Sequence, residues 1–432
     1  MQFATFFLTA LVSCGFFAAV LLAVFKFFCE TTGLGSRFRF AAGAGEWSES
    51  GSVQRIPYGK LILFALGVRL LVFVAGVFIC LIFQSPEHFN LEAFSRLWHK
   101  WDSTGYTNMA KVGYSFLENG ENILLVFFPL YSFCMRLTAG VLQDYYVSGL
   151  VVSYLFYIGS VIYLYKLVLL DFDENIAWKT VVLISVFPFS FFFGSIHTES
   201  ITLFMMTMTF YHIRKHNWPL VMVFGALSGL CRMVGSLVAI PAAMEYIRVY
   251  KPFSALRRKE YKAFWKNIVT KFIFIPLIGI GGGIYLLINY LVSGNAFKFL
   301  EYQNMIWYNE TQFITKTIYD LFNRIFTGFN TIAGCVWIPE LLILIFAVFL
   351  MIRLWKRLPS IYTVFLSAYI LVSYAASWLL SGSRYMAIAI PFFILLGIWT
   401  SEKQERYLGT VVVSAVFLGI YLTAFLTNQQ VM

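Results

Sequence analysis

The sequence predicts an all-α polytopic membrane protein, built as a bundle of about 12 transmembrane helices plus a re-entrant or amphipathic segment. Its 432 residues are 60% hydrophobic and only 12% charged, whereas a soluble domain carries about 25% charged residues. Apolar runs near membrane-spanning length recur along the chain, and basic residues cluster in alternate linkers between them. These observations exclude a water-soluble fold and predict a single integral membrane domain over 1–432.

Twelve apolar runs are candidate crossings. The first lacks the basic start of a signal peptide and exceeds the usual apolar core of about 7–15 residues, so we expect a retained helix. With the basic loop that follows, it makes 1–58 an N-terminal extension. The runs lie near 3–28, 59–83, 147–168, 179–195, 199–213, 217–231, 233–247, 271–292, 334–354, 360–380, 386–400 and 408–427.

The basic residues predict the orientation. Six alternate linkers hold 22 of the 32 Lys and Arg residues, which favours their placement in the cytoplasm. Both termini are then outside, and the net charge of +11 reflects topology instead of nucleic-acid binding. The run 122–142 would break this alternation, so we expect a lumenal or re-entrant segment interrupted by Pro129. The basic linkers are 26–60, 166–179, 214–215, 248–271, 353–357 and 403–406.

The remaining linkers collect the polar and acidic residues on the opposite face. Residues 84–146 form a first long outer loop, in which apolar residues at helical spacing between 90 and 117 indicate an interfacial helix. Residues 293–333 form a second long loop, and short turns at 195–200 and 381–385 complete the set. We expect these four segments to converge.

The first outer loop contains a carboxylate among aromatic residues. Asp102 follows Trp101, and Tyr106 and Tyr114 come after it. Aromatic rings and a carboxylate offer a sugar a stacking wall and a proton acceptor. The alternative interpretation is that Asp102 caps the next helix while the aromatic residues belong to an interfacial belt.

A second carboxylate lies in the turn His197-Thr198-Glu199-Ser200, where the chain re-enters the membrane. An acid at this depth is a functional candidate by default. Equally, Glu199 could be a satisfied N-cap of the next helix.

Three arginines lie in or beside apolar runs. Arg232 and Arg384 are predicted to bind an anionic phosphate that enters from the lipid. For Arg69 we prefer a structural pair or a cytoplasmic lipid contact. The segment with Gln303 and Trp307 suits a sugar or a headgroup, although such residues are also common at membrane interfaces. The six cysteines occur singly and without histidines at ligand spacing, which predicts neither disulfides nor a metal site.

Six sequence motifs follow one another along the chain. They are WDSTGYTNMAKVGY at 101–114, FFPLYS at 127–132, FPFSFFFGSIHTES at 187–200, GLCRMVGSLVAIP at 229–241, FLEYQNMIWYN at 299–309 and SRYMAIAIP at 383–391. In this order they resemble the PIG-V-like family of GT-C membrane mannosyltransferases. The resemblance implies a GT-C-like bundle whose extracytoplasmic loops form the active site, a lipid-phosphate sugar donor and no cofactor. His197 and Ser132 depart from the Tyr and Pro of the family, and the N-terminal extension favours a bacterial relative.

The predicted function is transfer of a hexose, mannose above others, from a polyprenyl-phosphate donor to a hydroxyl of a lipid-linked or cell-surface glycan. Because phosphate leaves without an acid, one carboxylate suffices as general base. Asp102 is the first choice, and Glu199 is the second or orients the acceptor. The predicted substrate-binding residues are Trp101, Tyr106, Tyr114, His197, Thr198, Ser200, Arg232, Gln303, Trp307, Arg384 and Tyr385.

The predicted location is a bacterial cell membrane, or the endoplasmic reticulum in a eukaryote, with membrane lipids as neighbours and a partner subunit left open. The chief alternative is a multi-pass transporter or flippase. It would explain many helices and buried arginines, but it predicts internal repeats, and we find none. Another lipid-linked enzyme, an acyltransferase or a polymerase, is a further alternative.

Overall fold

The computed structural model describes residues 2–32, 56–83, 96–114, 122–308 and 310–431. Within these ranges the regular secondary structure is helical, apart from one isolated antiparallel bridge between Thr311 and Ala376. Turns and loops connect the helices. Its nineteen α-helices, numbered α1 to α19, are Gln2–Thr32, Tyr58–Phe83, Ser103–Val112, Pro129–Leu142, Tyr145–Val168, Glu174–Ser185, Glu199–Arg214, Trp218–Cys231, Ala239–Tyr250, Pro252–Arg257, Tyr261–Thr270, Ile280–Ser293, Lys298–Trp307, Ile314–Thr327, Ile338–Arg353, Ser360–Ser373, Gly382–Met386, Ile390–Ser401 and Gln404–Leu426.

Among the described residues, six helical segments are long and apolar enough to cross a membrane. The chain is therefore an all-α membrane protein, whereas the predicted number of about 12 crossings stays a prediction. The other predicted runs carry shorter helices. In the run near 179–195, for example, α6 ends at Ser185 and a 3₁₀ turn follows at Ser190–Gly194. The six segments are Gln2–Thr32, Tyr58–Phe83, Tyr145–Val168, Tyr261–Ser293, Ala333–Arg353 and Gln404–Leu426.

The first outer loop contains two helices among the described residues. Within the stretch 90–117, where an interfacial helix was predicted, the described residues form α3, which begins only after the apolar residues on which that prediction rested. Residues 84–95 and 115–121 lie outside the described residues, as does 33–55 of the N-terminal basic loop.

Pro129 marks the interruption that the sequence predicted in the run 122–142, because the 3₁₀ turn Ile123–Val126 ends in the extended residues Phe127 and Phe128 directly before it. It lies in the first turn of α4, where proline removes no hydrogen bond because the N–H would have no helical partner. Phe133, Leu137 and Val141 repeat every four residues along α4 and are all exposed. This apolar stripe is typical of an amphipathic helix that faces lipid.

The N-terminal helix α1 is attached to the bundle by polar contacts at its C-terminal end. Lys26 Nζ donates to the carbonyl oxygens of Lys356 and Leu358 at 2.7 and 2.6 Å. The Glu30 carboxylate accepts a hydrogen bond from the backbone N–H of Ser360 at 3.0 Å. These bonds hold α1 against the turn that precedes α16.

A buried ionic cluster joins several of the predicted cytoplasmic linkers. Arg214, at the end of α7, forms ion pairs with Asp171 and, at 2.8 Å, with Glu245. The Tyr362 hydroxyl donates to Asp171 at 2.8 Å, and Arg248 donates to Glu245 at 2.9 Å. The linkers that follow α5, α7, α9 and α15 therefore meet at one end of the bundle. Which end faces the cytoplasm stays a prediction.

Arg69 stabilises the turn after α6. Its guanidinium is buried and donates to the carbonyl oxygens of Ser185 at 2.8 Å and Ser190 at 2.5 Å. It also lies 4.6 Å from the centre of the Tyr157 ring. Arg69 thus satisfies carbonyl groups that the end of a helix leaves without partners. Its role is structural, and the lipid contact we considered for it is wrong.

Candidate active site

Four charged residues from four separate segments form one ionic network at the other end of α7. Arg384 Nη1 lies 2.7 Å from Asp102 Oδ2, and Arg384 Nε lies 2.5 Å from Glu199 Oε1. Arg232 Nη1 lies 2.7 Å from the same Glu199 oxygen. Asp102 precedes α3, Glu199 begins α7, Arg232 follows α8, and Arg384 lies in α17. Three of the four segments that the sequence predicted to converge, 84–146, 195–200 and 381–385, are therefore in direct contact.

Asp102 lies directly after a residue with unusual backbone geometry. Trp101 has a φ of 56°, in the left-handed region that bulky residues rarely adopt. The Asp102 side chain makes no capping hydrogen bond to α3. Its Oδ2 accepts from Arg384 instead. The helix-cap interpretation of Asp102 therefore lacks the hydrogen bond that it requires.

Glu199 is the first residue of α7 and is fully buried. The start of a helix favours a negative charge because the backbone N–H groups there point outward from the helix end. Both arginines contact Oε1, whereas Oε2 has no hydrogen-bond partner among the described residues. Glu199 is thus paired with two cations. The N-cap position that the sequence analysis considered for Glu199 is occupied by Thr198.

The two arginines differ in exposure. The Arg384 side chain is 1% exposed and lies 4.8 Å from the centre of the Phe192 ring. The Arg232 side chain is 16% exposed and lies 4.6 Å from the centre of the Tyr385 ring. With Asp102 and Glu199 they form a network of two cations and two anions, whose charges balance.

A cavity of about 420 Å³ opens beside this network. Asp102 and Arg232 line it, whereas Glu199 and Arg384 lie behind them. The Asp102 side chain is 26% exposed. The cavity therefore offers a ligand one carboxylate and one guanidinium. Its remaining wall is largely apolar and aromatic, with Trp101, Tyr106, Phe127, Phe128, Met233, Val234, Trp378, Leu379, Leu380 and Tyr385 among its residues.

The turn at 195–200, which carries Glu199, is held by hydrogen bonds of its own side chains. His197 Nδ1 lies 2.9 Å from Ser195 Oγ, and the Ser200 hydroxyl donates to the Phe193 carbonyl at 2.8 Å. Thr198 is fully buried. Burial, reinforced by the charge of Arg384, lowers the pKa of His197 to about 3, so its imidazole is neutral. Although predicted to bind substrate, these side chains do not line the cavity.

Tyr106 and Tyr114, both in the first outer loop, differ in their position relative to the cavity. Tyr106 lines the cavity, and burial together with the Asp102 carboxylate raises the pKa of its phenol. The Tyr114 hydroxyl instead donates to the Phe127 carbonyl at 2.8 Å, which holds the segment before α4. Tyr114 is therefore a structural neighbour of the cavity wall and not a part of it.

The second outer loop does not bring Gln303 to the cavity wall. Gln303 is half-buried in α13, and Trp307 ends that helix, with its side chain outside the described part of the chain. The loop reaches the site through Gln312, whose backbone N–H donates to the Ala375 carbonyl at 3.1 Å. The expected sugar contact at 301–309 therefore gains no geometric support at Gln303.

Two residues near the site were missed by the sequence analysis. Glu340 of α15 is fully buried, and its Oε1 accepts the backbone N–H of Gly382 at 2.7 Å. It thus holds the start of the short helix that carries Arg384. A glutamate in an apolar run is the signal that could have identified it. Trp378 lines the cavity, and no sequence pattern distinguishes it from other interfacial tryptophans.

Within the described ranges, no group of three or more His, Cys, Asp and Glu residues could hold a metal ion. The six cysteines, all within the described ranges, form no disulfide with one another.

Comparison with known proteins gives no family assignment. No protein-family model matches the chain, and no curated protein matches it. The chain is similar to an oligosaccharyltransferase from Archaeoglobus fulgidus, crystallised with Zn and sulfate, with 10% identity and a TM-score of 0.42 over 82% of this chain and 53% of that one.

A second similar structure is the oligosaccharyltransferase AglB from the same archaeon, in complex with an inhibitory peptide and a dolichol-phosphate. The identity is 12% and the TM-score 0.42, over 85% of this chain and 56% of that one. The chain thus spans about half the length of these structures. The resemblance to PIG-V-like enzymes stays a prediction.

Proposed function

We propose that the protein is a membrane glycosyltransferase that moves a hexose from a polyprenyl-phosphate donor to a hydroxyl of a glycan acceptor. One observation carries the proposal: among the described residues that line the cavity, Asp102 is the single carboxylate and Arg232 the single guanidinium, between aromatic and apolar walls. A proton acceptor and a phosphate-binding cation are the two charged groups that this transfer requires. The sequence resemblance suggests mannose as the sugar.

In this proposal Asp102 is the general base. Arg384 occupies Oδ2, and no hydrogen bond to Oδ1 occurs among the described residues, so Oδ1 can accept the proton of the acceptor hydroxyl. The acceptor oxygen then forms a bond to C1 of the donor sugar. The bond between C1 and the phosphate oxygen breaks, and its electron pair stays with the phosphate.

Arg232 is the group we assign to the leaving phosphate. It lines the cavity beside Met233 and Val234, so a phosphate at its guanidinium would have an apolar surface next to it for a polyprenyl chain. The sequence analysis gave this role to Arg232 and Arg384 together. We now divide the roles, because Arg384 lies behind the wall and contacts both carboxylates.

Glu199 is then a positioning residue. Its Oε1 already accepts from two guanidinium groups, and the residue does not line the cavity. We propose that it fixes Arg232 and Arg384, and through Arg384 the orientation of Asp102. A base held by a rigid partner is better oriented for proton transfer than a freely rotating one.

The test is transfer by the purified, reconstituted protein from radiolabelled polyprenyl-phosphate mannose to a panel of glycan acceptors. We expect label in a glycan product with the wild-type protein and at least a hundredfold lower rate with Asp102→Asn. The control is Asp173→Asn, which changes a carboxylate that caps α6 and should leave the rate unchanged. Movement of label across vesicle membranes without transfer would favour a flippase instead.

A further inference from the structure

Trp378 directly follows a segment, 375–377, that is hydrogen-bonded to the second outer loop. The backbone N–H of Ser377 donates to the Glu310 carbonyl at 2.8 Å, and Gln312 donates to Ala375 at 3.1 Å. The bridge between Thr311 and Ala376 lies between these two bonds. The loop 293–333 therefore sets the backbone position of Trp378.

The indole ring of Trp378 is held by a stacked arginine. The Arg324 guanidinium lies 4.2 Å from the centre of the Trp378 ring and 5.6 Å from that of Trp337. Arg324 Nη2 also donates to the Ser377 carbonyl at 3.1 Å. One face of the Trp378 ring is thus occupied by a cation. The residue is still 37% exposed and lines the cavity.

A second exposed indole lines the same cavity. Trp101 is 38% exposed and directly precedes Asp102 in the chain. Its backbone has a left-handed conformation. The cavity volume of about 420 Å³ lies within the range of roughly 300–1,000 Å³ of small-molecule sites. Two indoles beside a carboxylate combine apolar faces for the C–H groups of a pyranose with an acceptor for its hydroxyls.

We infer that Trp378 and Trp101 form an acceptor-sugar subsite, in which a pyranose ring contacts the indoles and presents a hydroxyl to Asp102. This inference rests on the proposed function and makes it more specific. The acceptor is a sugar ring at the point of attack, and not a polyol or a lipid headgroup. Trp378 is a substrate-contacting residue that the sequence analysis did not identify.

A role in the interfacial aromatic belt is the alternative for Trp378, and the chain offers a matched control for it. Trp265 on α11 is more exposed than Trp378, at 61%, but does not line the cavity. A belt role would make Trp378→Leu and Trp265→Leu behave alike. A subsite role would make only Trp378→Leu affect sugar binding.

The experiment measures saturation-transfer difference NMR signals of methyl α-D-mannopyranoside, methyl α-D-glucopyranoside and myo-inositol with the purified full-length protein, without any donor. We expect at least one pyranoside to bind and myo-inositol not to bind. Trp378→Leu should weaken pyranoside binding by roughly threefold to tenfold, the range of an aromatic contact. Trp378→Phe should retain part of the binding, and Trp265→Leu should bind like the wild-type protein.

Three results would overturn the inference: no pyranoside binding by the wild-type protein, equal binding by Trp378→Leu, or preferred binding of myo-inositol. Unfolding midpoints of all variants identify any loss that comes from misfolding. If Trp378→Leu is misfolded, Trp378→Phe replaces it in the comparison of sugar binding, because this variant keeps an aromatic ring. Pyranoside binding without transfer from any lipid-phosphate donor would overturn the proposed function and keep the subsite, so the two failures are distinguishable.

Discussion

Arg384 joins the two candidate carboxylates, because its Nη1 lies 2.7 Å from Asp102 Oδ2 and its Nε lies 2.5 Å from Glu199 Oε1. The sequence alone presented Asp102 and Glu199 as competing bases. In the structure they are two parts of one network, in which only Asp102 reaches the cavity. Substitutions in the network should therefore be strongly non-additive.

Arg384→Lys should reduce turnover without a matching effect on donor binding. Lysine keeps the positive charge but cannot contact two carboxylates with a planar fork, so the orientation of Asp102 should be lost. We expect kcat to fall at least tenfold while the donor KM changes less than threefold, since a small misplacement of a catalytic group is enough for such an effect. Steady-state kinetics measure both values. A large rise in donor KM with unchanged kcat would return Arg384 to the phosphate site.

Arg232→Lys should have the opposite profile. In our proposal its guanidinium binds the donor phosphate, and a hydrogen bond to a charged group contributes about 1.5–3 kcal/mol. We expect the donor KM to rise by roughly tenfold or more, with a smaller change in the acceptor KM. Kinetics at varied donor concentration test this. An unchanged donor KM would exclude Arg232 as the phosphate ligand.

The sequence predicted the site to the extent that charge and topology determine it. Asp102, Glu199, Arg232 and Arg384 lie in segments that the alternation of basic linkers assigns to one face, and they meet there. The division of roles between the arginines could not be predicted, because it depends on which side chain lies in the cavity wall. Glu340 was missed because its contact with Gly382 joins residues that are remote in the chain.

The same limit applies to the fold. Each predicted apolar run contains an α-helix, since apolar composition is a property of the local sequence. Whether a short helix such as α18 crosses the membrane depends on its tilt and neighbours, and composition does not encode these. The interruption at Pro129, by contrast, could be predicted from the local sequence, because proline is disfavoured inside a helix and tolerated in its first turn.

Glu340 should act as a hydrogen-bond acceptor and not through its charge. Its Oε1 accepts the Gly382 N–H at 2.7 Å, and the amide oxygen of glutamine can do the same. We expect Glu340→Gln to retain activity within about threefold, whereas Glu340→Leu leaves a buried N–H without a partner and displaces Arg384. Transfer rates and unfolding midpoints of the two variants test this. An inactive Glu340→Gln would assign a role to the carboxylate charge.

The two ends of the bundle should label from opposite sides of the membrane. Gln429 directly precedes Gln430, which lines the cavity. Arg257 lies in the linker that contains the most basic residues. A membrane-impermeant maleimide should label Gln429→Cys in intact cells and Arg257→Cys only after permeabilisation, with the wild-type protein as the blank for its own six cysteines. The reverse pattern would place the site in the cytoplasm.

The roles of Asp102 and Glu199 should be distinguishable when turnover and stability are measured on the same variants. Asp102→Asn removes the proton acceptor but leaves the buried pairs of Glu199 with both arginines intact. Turnover should fall by about 10²–10⁴, while the free energy of unfolding should fall less than with Glu199→Gln, because Asp102 is partly exposed and the asparagine amide oxygen can still accept a hydrogen bond from Arg384. If Asp102 only capped α3, asparagine would replace it without loss.

Glu199→Gln should affect both quantities, because the neutral amide removes the carboxylate charge that pairs with both buried guanidinium groups. Removal of one partner from a buried pair destabilises a protein by about 3–5 kcal/mol, and the amide should recover part of this by accepting a hydrogen bond. In the double variant turnover should fall no further than in Asp102→Asn, since Glu199 acts through the orientation of Asp102. A fully active Asp102→Asn with an inactive but stable Glu199→Gln would instead make Glu199 the base, and full activity in both would exclude a carboxylate base at this site.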